Sequence, residues 1–314
     1  MDLAMALDSC PVVFTEGAII ERLRREFAVT LDPVVLHAGF IYEPEKGELL
    51  RRIYAQYIEL AGRRRAPVLI MTPTRRANQD RLIQAGLGDR DVNGDGVRFL
   101  QDIRATYPEF SSSVLVGGLM GCRGDAYRAQ EALSSREGHV FHRPQAVHLA
   151  EAGADFLFGA TLPAVSEALG LAWAMADTGA PYVLSFVIRP DGALLDGTML
   201  HDAMAGIDKA VSPRPIAYMV NCVHPSILLR ALDAPKNRTA LVRERLVGIQ
   251  GNASAKSPEE LDGAPELASD GRDAWIDGMK RLRQDHPLRV FGGCCGTDDR
   301  YIDGLVKAFS SGAR

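Results

Sequence analysis

Short, unbroken apolar runs punctuate the chain, and most are followed by a stretch in which apolar residues recur every three or four positions. The runs occupy residues 11–17, 67–73, 113–119, 155–161, 181–188, 215–222, 246–250 and 288–292. Continuous apolar segments of this length suit strands covered on both faces, as in a parallel sheet. The periodic stretches predict helices over 18–27, 47–65, 97–107, 143–153, 163–178, 200–211, 225–232, 274–283 and 301–309, with further helical sequence running to Gly86. In the first, Ile19, Ile20, Leu23 and Phe27 share a face; in the second, Leu49, Leu50, Ile53, Tyr57 and Leu60 do. Pro73 stops the second strand, and Pro163 and Gly179 bracket a helix in the order that helix ends favour. Segment 29–46 is mixed, 121–138 reads as a long loop, and 252–270 is polar and irregular.

Eight apolar strands alternating with helices predict an α/β chain folded as one (β/α)8 TIM barrel domain spanning residues 1–314. A doubly wound open sheet is the runner-up, but no G-x-G-x-x-G loop opens a helix to support it.

In such a barrel, function gathers at the carboxyl ends of the strands. Glu16, Thr72, Gly117, Thr161, Ser185, Asn221, Asn252 and the pair Cys294-Cys295 all fall at or near those ends. Glu16 there is either functional or a solvated carboxylate. Two adjacent thiols framed by Gly292, Gly293 and Gly296 suggest metal ligation, the glycines letting the backbone leave strand geometry so that both sulfurs reach one ion. Zinc bound by thiolates takes four ligands, and a catalytic site keeps one position open, so a third cysteine is needed. Cys222, which also closes an apolar run, is the best candidate, whereas Cys10 and Cys122 read as inert packed thiols. Of the seven histidines only His139 and His142 form a close pair, and that pair lies at the end of the predicted loop, just before the helix from 143. His224, two residues beyond Cys222, is placed to orient a ligand.

Composition narrows the field. A 314-residue chain that is 46% apolar can bury a large core, and a net charge of -4 argues against nucleic acid. No window is apolar enough to span a membrane, and residues 1–10 lack a secretory signal. Five cysteines, an odd number, fit reduced thiols in a cytoplasmic setting.

Val220-Asn221-Cys222 taken with Gly292-Gly293-Cys294-Cys295-Gly296-Thr297 resembles the homocysteine S-methyltransferase family, over nearly the whole chain. Thr15-Glu16-Gly17-Ala18, Met71-Thr72-Pro73-Thr74, Val116-Gly117-Gly118 and Ser185-Phe186 with Asp196-Gly197-Thr198 are similar to that family's shorter motifs. The resemblance implies a zinc-dependent methyl transfer to a thiol, homocysteine giving methionine, with Cys222, Cys294 and Cys295 as ligands and Gly293 supporting them. It further implies that Glu16, Gly17, Thr72, Thr161, Ser185 and Asn221 surround the small-molecule thiol acceptor and its cationic sulfonium or ammonium methyl donor. A homo-oligomer is compatible with this reading.

Three departures qualify it, one of them Gly251-Asn252-Ala253-Ser254 where the family's seventh strand has a Pro-Asn-Ser-Gly type of turn. The family's fourth strand typically ends in Glu-Thr, where this chain has Ala160-Thr161, and Glu16 stands in place of the usual aspartate. A different thiol acceptor is therefore an open alternative. So are a zinc hydrolase, disfavoured by an all-thiolate ligand set, and a non-catalytic zinc-binding or redox-sensing barrel.

Overall fold

The computed structural model describes residues 1–257, Glu260 and residues 268–310. Eight parallel strands close into a barrel in sequence order: β1 Val13–Thr15, β2 Val68–Met71, β3 Val114–Gly121, β4 Phe156–Leu162, β5 Tyr182–Phe186, β6 Ala217–Val223, β7 Leu246–Gly251 and β8 Val290–Gly293. The predicted (β/α)8 architecture is the observed one, and β8 pairs with β1 to complete the ring through Val13 with Val290 and Phe14 with Phe291.

Side-chain alternation divides the strands between two cores. Val13, Leu69, Met71, Leu115, Phe156, Phe158, Val183, Ala217, Met219 and Val290 fill the barrel interior. Phe14, Val68, Ile70, Val116, Leu157, Leu184, Tyr218, Val220 and Phe291 point outward into the helical layer. Both cores exclude water, which is why the strands read as unbroken apolar runs.

A helix that periodicity did not predict, α1 (Leu3–Ser9), closes the amino end of the barrel. Asp2 caps it, and Leu3, Ala6 and Leu7 join the interior cluster, while Arg289 donates to the Leu7 carbonyl. Burying each leucine contributes roughly 2 kcal/mol.

The outer helices are α2 (Ile20–Arg25), α3 (Pro44–Gly62), α4 (Gln79–Gln84), α5 (Val92–Ala105), α6 (Ser135–Glu151), α7 (Val165–Ala176), α8 (Leu200–Ala210), α9 (Pro225–Asp233), α10 (Ala240–Arg245), α11 (Arg272–Asp285) and α12 (Asp299–Ser310). Helix α6 starts eight residues before the predicted 143, so the last four residues of the expected loop, 135–138, are helical. A capping box starts it: the Ser134 hydroxyl accepts from Glu137 N, and the Glu137 carboxylate accepts from Ser134 N. Helices α3 and α5 likewise begin before the predicted 47 and 97. Helix α10 interrupts a stretch left unassigned by the apolar pattern. Of the polar segment 252–270, positions 258–259 and 261–267 lie outside the described residues.

Candidate metal centre and its surroundings

Strand β8 ends at Gly293 and the chain turns sharply. Cys294 N donates to the Gly251 carbonyl (2.8 Å) and Ala253 N to the Cys295 carbonyl (2.9 Å), tying the turn to the end of β7. The Thr297 hydroxyl closes it by donating to the Cys294 carbonyl (2.7 Å). Gly296 takes a left-handed φ of 81° and its N–H donates to the Glu21 carboxylate. Gly292 and Gly293 correct the expectation of backbone freedom, because neither has a positive φ. They are glycines for lack of room: a Cβ on Gly292 would stand 1.9 Å from Thr15 Oγ1, and one on Gly293 2.0 Å from Thr297 Oγ1.

The end of β6 is built differently. Alternation through Ala217 and Met219 directs Asn221 into the barrel and would send Cys222 outward. Instead the β6–β7 register shifts between Asn221 and Val223, and Cys222 adopts a φ of 56°. Thr161 on β4 does the same, with a φ of 59° beside a register shift between Gly159 and Leu162. Left-handed backbone at two non-glycine residues costs of order 1–3 kcal/mol each.

Asn221, 2% exposed, holds both bulges together. Its Oδ1 accepts from Thr161 N (2.9 Å) and the Ser185 hydroxyl (2.8 Å). Its Nδ2 donates to Thr161 Oγ1 (2.7 Å) and to the Cys222 sulfur (3.4 Å). Asn252 links the two cysteine-bearing segments: its Nδ2 donates to the Cys222 carbonyl (3.0 Å) and its Oδ1 accepts from Cys295 N (3.1 Å).

These devices bring the sulfurs of Cys222, Cys294 and Cys295 within 4.8 Å of one another, with Cys222 Sγ 2.8 Å from Cys294 Sγ. All three are free thiols. A tetrahedral zinc with Zn–S bonds of about 2.3 Å holds its sulfurs about 3.8 Å apart, so the trio needs only a small expansion to accept one. Its charge state points the same way. Hydrogen bonds from Cys294 and then Cys295 hold the Cys222 thiol well below the usual thiol range, while Cys294 and Cys295 are pushed well above it, chiefly by the same sulfur. One negative charge is thus tolerated and three are not, a deficit that a dication removes by letting every thiol ionise. The donor set therefore fits zinc.

The remaining predicted residues occupy distinct places. Thr161, Ser185 and Asn221 form the network beside Cys222. Thr72 has its hydroxyl engaged by Thr74 Oγ1 (2.6 Å) and Leu119 N (2.8 Å), bracing β2 against β3. Gly17 admits Tyr57, whose hydroxyl would lie 2.8 Å from a Cβ there. His224 caps α9, its Nδ1 accepting from Ser226 N (3.2 Å), and its Nε2 faces Asp270 at 4.0 Å. His142 is fully buried on Glu167 (2.9 Å) and His139 lies on Asp177 (2.7 Å), so the two rings of that pair serve different carboxylates.

Glu16, 6% exposed, accepts from Met71 N with both carboxylate oxygens (3.3 and 3.1 Å). Burial pushes its pKa from 4.5 up to about 8. A raised folded-state value means the stability it contributes is full below pH 4.5 and lost as pH rises through 8. Glu16→Gln fixes the neutral state, so thermal melts across pH 4 to 9 are expected to show the variant gaining on wild type from about pH 4.5 and levelling off above about pH 8. A constant difference across that range would show that folding leaves the Glu16 pKa unshifted.

Three residues near the sulfurs were not singled out by sequence. Tyr127, in the loop after β3, hydrogen-bonds the Cys222 sulfur, whose charge drives the phenol well above its ordinary pKa. Glu21 binds the Gly296 turn. Arg75, just past β2, donates to Thr161 Oγ1 (3.3 Å); burial disfavours its charge, but Cys222, Tyr127, Cys122 and Cys294 together more than offset this. Its position immediately after a strand's carboxyl end was the available signal.

The family model for homocysteine S-methyltransferase matches residues 13–309. The homocysteine S-methyltransferase YbgG of Bacillus subtilis (strain 168) is 25% identical over 315 residues, covering 96% of this chain and 95% of that protein. The homocysteine S-methyltransferase of Escherichia coli (strain K12) is 28% identical over 235 residues, covering 70% and 72% respectively. The crystal structure of the homocysteine methyltransferase MmuM from Escherichia coli, in its oxidized form, superimposes with a TM-score of 0.76 at 25% identity, covering 95% of this chain and 96% of that one. With a closed barrel, a convergent cysteine trio and a family match across almost its entire length, this chain belongs to the homocysteine S-methyltransferase family.

Proposed function

We propose that this methyltransferase uses zinc held by Cys222, Cys294 and Cys295 to methylate a small thiol, taking the methyl group from a cationic sulfonium or ammonium donor. The observation that carries this reading is the convergence of three free sulfurs, from the tops of two strands, within 4.8 Å. Homocysteine, giving methionine, is the acceptor that the family relationship favours, and Ala160 in place of the family's glutamate makes a different thiol the alternative. Free thiols and the absence of any helix long and apolar enough to cross a membrane, among the described residues, suit a cytoplasmic setting.

When bound, the zinc would supply a Lewis-acidic position that lowers the pKa of an entering thiol while three thiolates keep its sulfur electron-rich. The chain's own residues prepare the surroundings. The Asn221 amide and the Tyr127 hydroxyl direct hydrogen bonds at Cys222, and Asn252 fixes the spacing between the β6 and β8 tops. The acceptor sulfur forms a bond to the methyl carbon as the bond from that carbon to the donor breaks. The acceptor's proton is released and the donor departs neutral. Because positive charge disappears from the donor, a water-poor mouth favours the transfer.

Metal analysis of the purified protein is expected to give one zinc per chain. Homocysteine with S-methylmethionine, S-adenosylmethionine or betaine tests turnover. Stoichiometric zinc with no methylated thiol across panels of acceptors and donors would replace this reading with a metal-binding or redox-sensing one.

A further inference from the structure

Beside the cysteine trio lies a small cavity lined by Arg75, Arg76, Arg81, Cys122 and Ala160, among others. Three guanidinium groups share it, and no carboxylate lines it. Arg75 has Thr161 Oγ1 as its hydrogen-bond partner (3.3 Å). Arg81 spends one nitrogen on the Arg123 carbonyl (2.8 Å), and its buried Nη1 has no partner. Arg76 has no ion pair among the described residues, and burial together with Arg75 lowers its pKa. Of the acids nearby, Asp125 accepts from Tyr127 N (2.9 Å) and acts on Arg76 only from beyond ion-pair range, while Glu167 accepts from His142 (2.9 Å), Arg123 N (2.6 Å) and Leu133 N (3.1 Å). Nor is a free carboxylate offered on the other side of the mouth, where Glu16 is spent on Met71 N and Glu21 on Gly296 N.

The cavity is cleared for these cations. A Cβ on Gly121 would stand 2.9 Å from Arg75 Cγ and 3.0 Å from its carbonyl oxygen, so a side chain at that position and Arg75 exclude one another. Ala160 is 4% exposed and presents a single methyl group. His37 adds a neutral donor or acceptor close to Arg75: it is 5% exposed, its Nδ1 has no partner, and burial reinforced by the Arg75 charge lowers its pKa to about 4.

Clustered guanidinium groups with no carboxylate in ion-pair range attract an anion and repel an ammonium group, even with the Cys222 sulfur set against Arg75. We propose that the acceptor is a thiol bearing an anionic group, carboxylate or sulfonate, and no ammonium group, its anion seated on Arg75 and Arg76 at the Ala160 corner while its sulfur reaches the cysteines. This assignment rests on the methyl-transfer reading and names the substrate class for the same site.

Calorimetric titration of the zinc-loaded enzyme tests it with 4-mercaptobutyrate, 3-mercaptopropanesulfonate, homocysteine and neutral 3-mercaptopropanol. At least one anionic thiol is expected to bind about tenfold or more tightly than homocysteine and the neutral thiol. Whichever of the two anions binds tighter identifies the headgroup. Arg75→Gln is expected to bring the four affinities within about threefold of one another. Ala160→Glu, which places a carboxylate against the arginines, is expected to weaken the anionic thiols selectively, with circular dichroism verifying that both variants fold. Homocysteine or the neutral thiol binding as tightly as both anions, or an anion preference that both folded variants retain, would overturn the proposal. Parallel methylation assays separate the two layers: homocysteine methylated while the anionic thiols fail to bind sinks only the anion assignment. Anionic thiols that bind but are methylated by no donor sink the acceptor assignment, and the methyl-transfer reading falls with it only if homocysteine and the neutral thiol are not methylated either.

Discussion

Cys222→Ala will purify as a folded barrel with zinc far below one per chain, and methyl transfer will fall by about a thousandfold. Cys294 and Cys295 sit on one turn and cannot supply a third sulfur, so the loss removes one of two anchoring segments from the site. Structural thiolate zinc sites contribute about 10–16 kcal/mol of apparent binding free energy, and dropping one ligand forfeits a large part of it. The fold survives because Cys222 is a small group at a strand end, and alanine in its left-handed backbone inherits strain already present in wild type. Cys10→Ala provides the control, since Cys10 packs beside α1, away from the trio. Elemental analysis and turnover measured on the same preparations decide the matter. Full zinc occupancy with normal turnover in Cys222→Ala would dismiss the trio as the metal centre.

The second large effect belongs to Asn221, and it should appear in stability as well as chemistry. Asn221→Ala strips partners from Thr161 N, Thr161 Oγ1 and the Ser185 hydroxyl, all in residues no more than 2% exposed. Buried polar groups left unsatisfied cost about 1–3 kcal/mol each, so a total near 4 kcal/mol is expected, some of it recovered by rearrangement. For a chain of this size that corresponds to a melting temperature roughly 8 °C lower. Zinc affinity should also drop, by about tenfold to a hundredfold, because the Cys222 sulfur loses its amide donor. Asn221→Asp retains the two acceptor contacts and loses both donors, so its melting temperature should lie between those of wild type and Asn221→Ala. Calorimetric melts and competition with a chromophoric chelator measure both quantities. A melting temperature for Asn221→Ala within about 2 °C of wild type would contradict the hub role.

The barrel was legible because strands such as Val68–Met71 and Tyr182–Phe186 are buried on both faces and leave an unbroken apolar trace. Cys222, Cys294 and Cys295 were legible because each ends such a trace, and ring closure then requires strand tops six and eight to lie near one another. The left-handed turns at Thr161 and Cys222 were not, since neither residue type favours that backbone and tertiary hydrogen bonds impose it. Helix α6 started too late in the reading because Gly138 and Pro144 weaken its pattern, although Ser134 and Glu137 mark its start. Arg75 and Arg76 do not stand out in the sequence, for charge near a strand end shows its meaning only when its neighbours prove to lack carboxylates.

Helix α1 stoppers one end of the barrel: with Leu3, Ala6 and Leu7 packed into the interior core at the amino end, the carboxyl end that carries the cysteines is the one left to reactants. On the proposed function, a thiol held at the sulfurs would lie beneath its methyl donor, so the acceptor would enter first and its methylated product leave last.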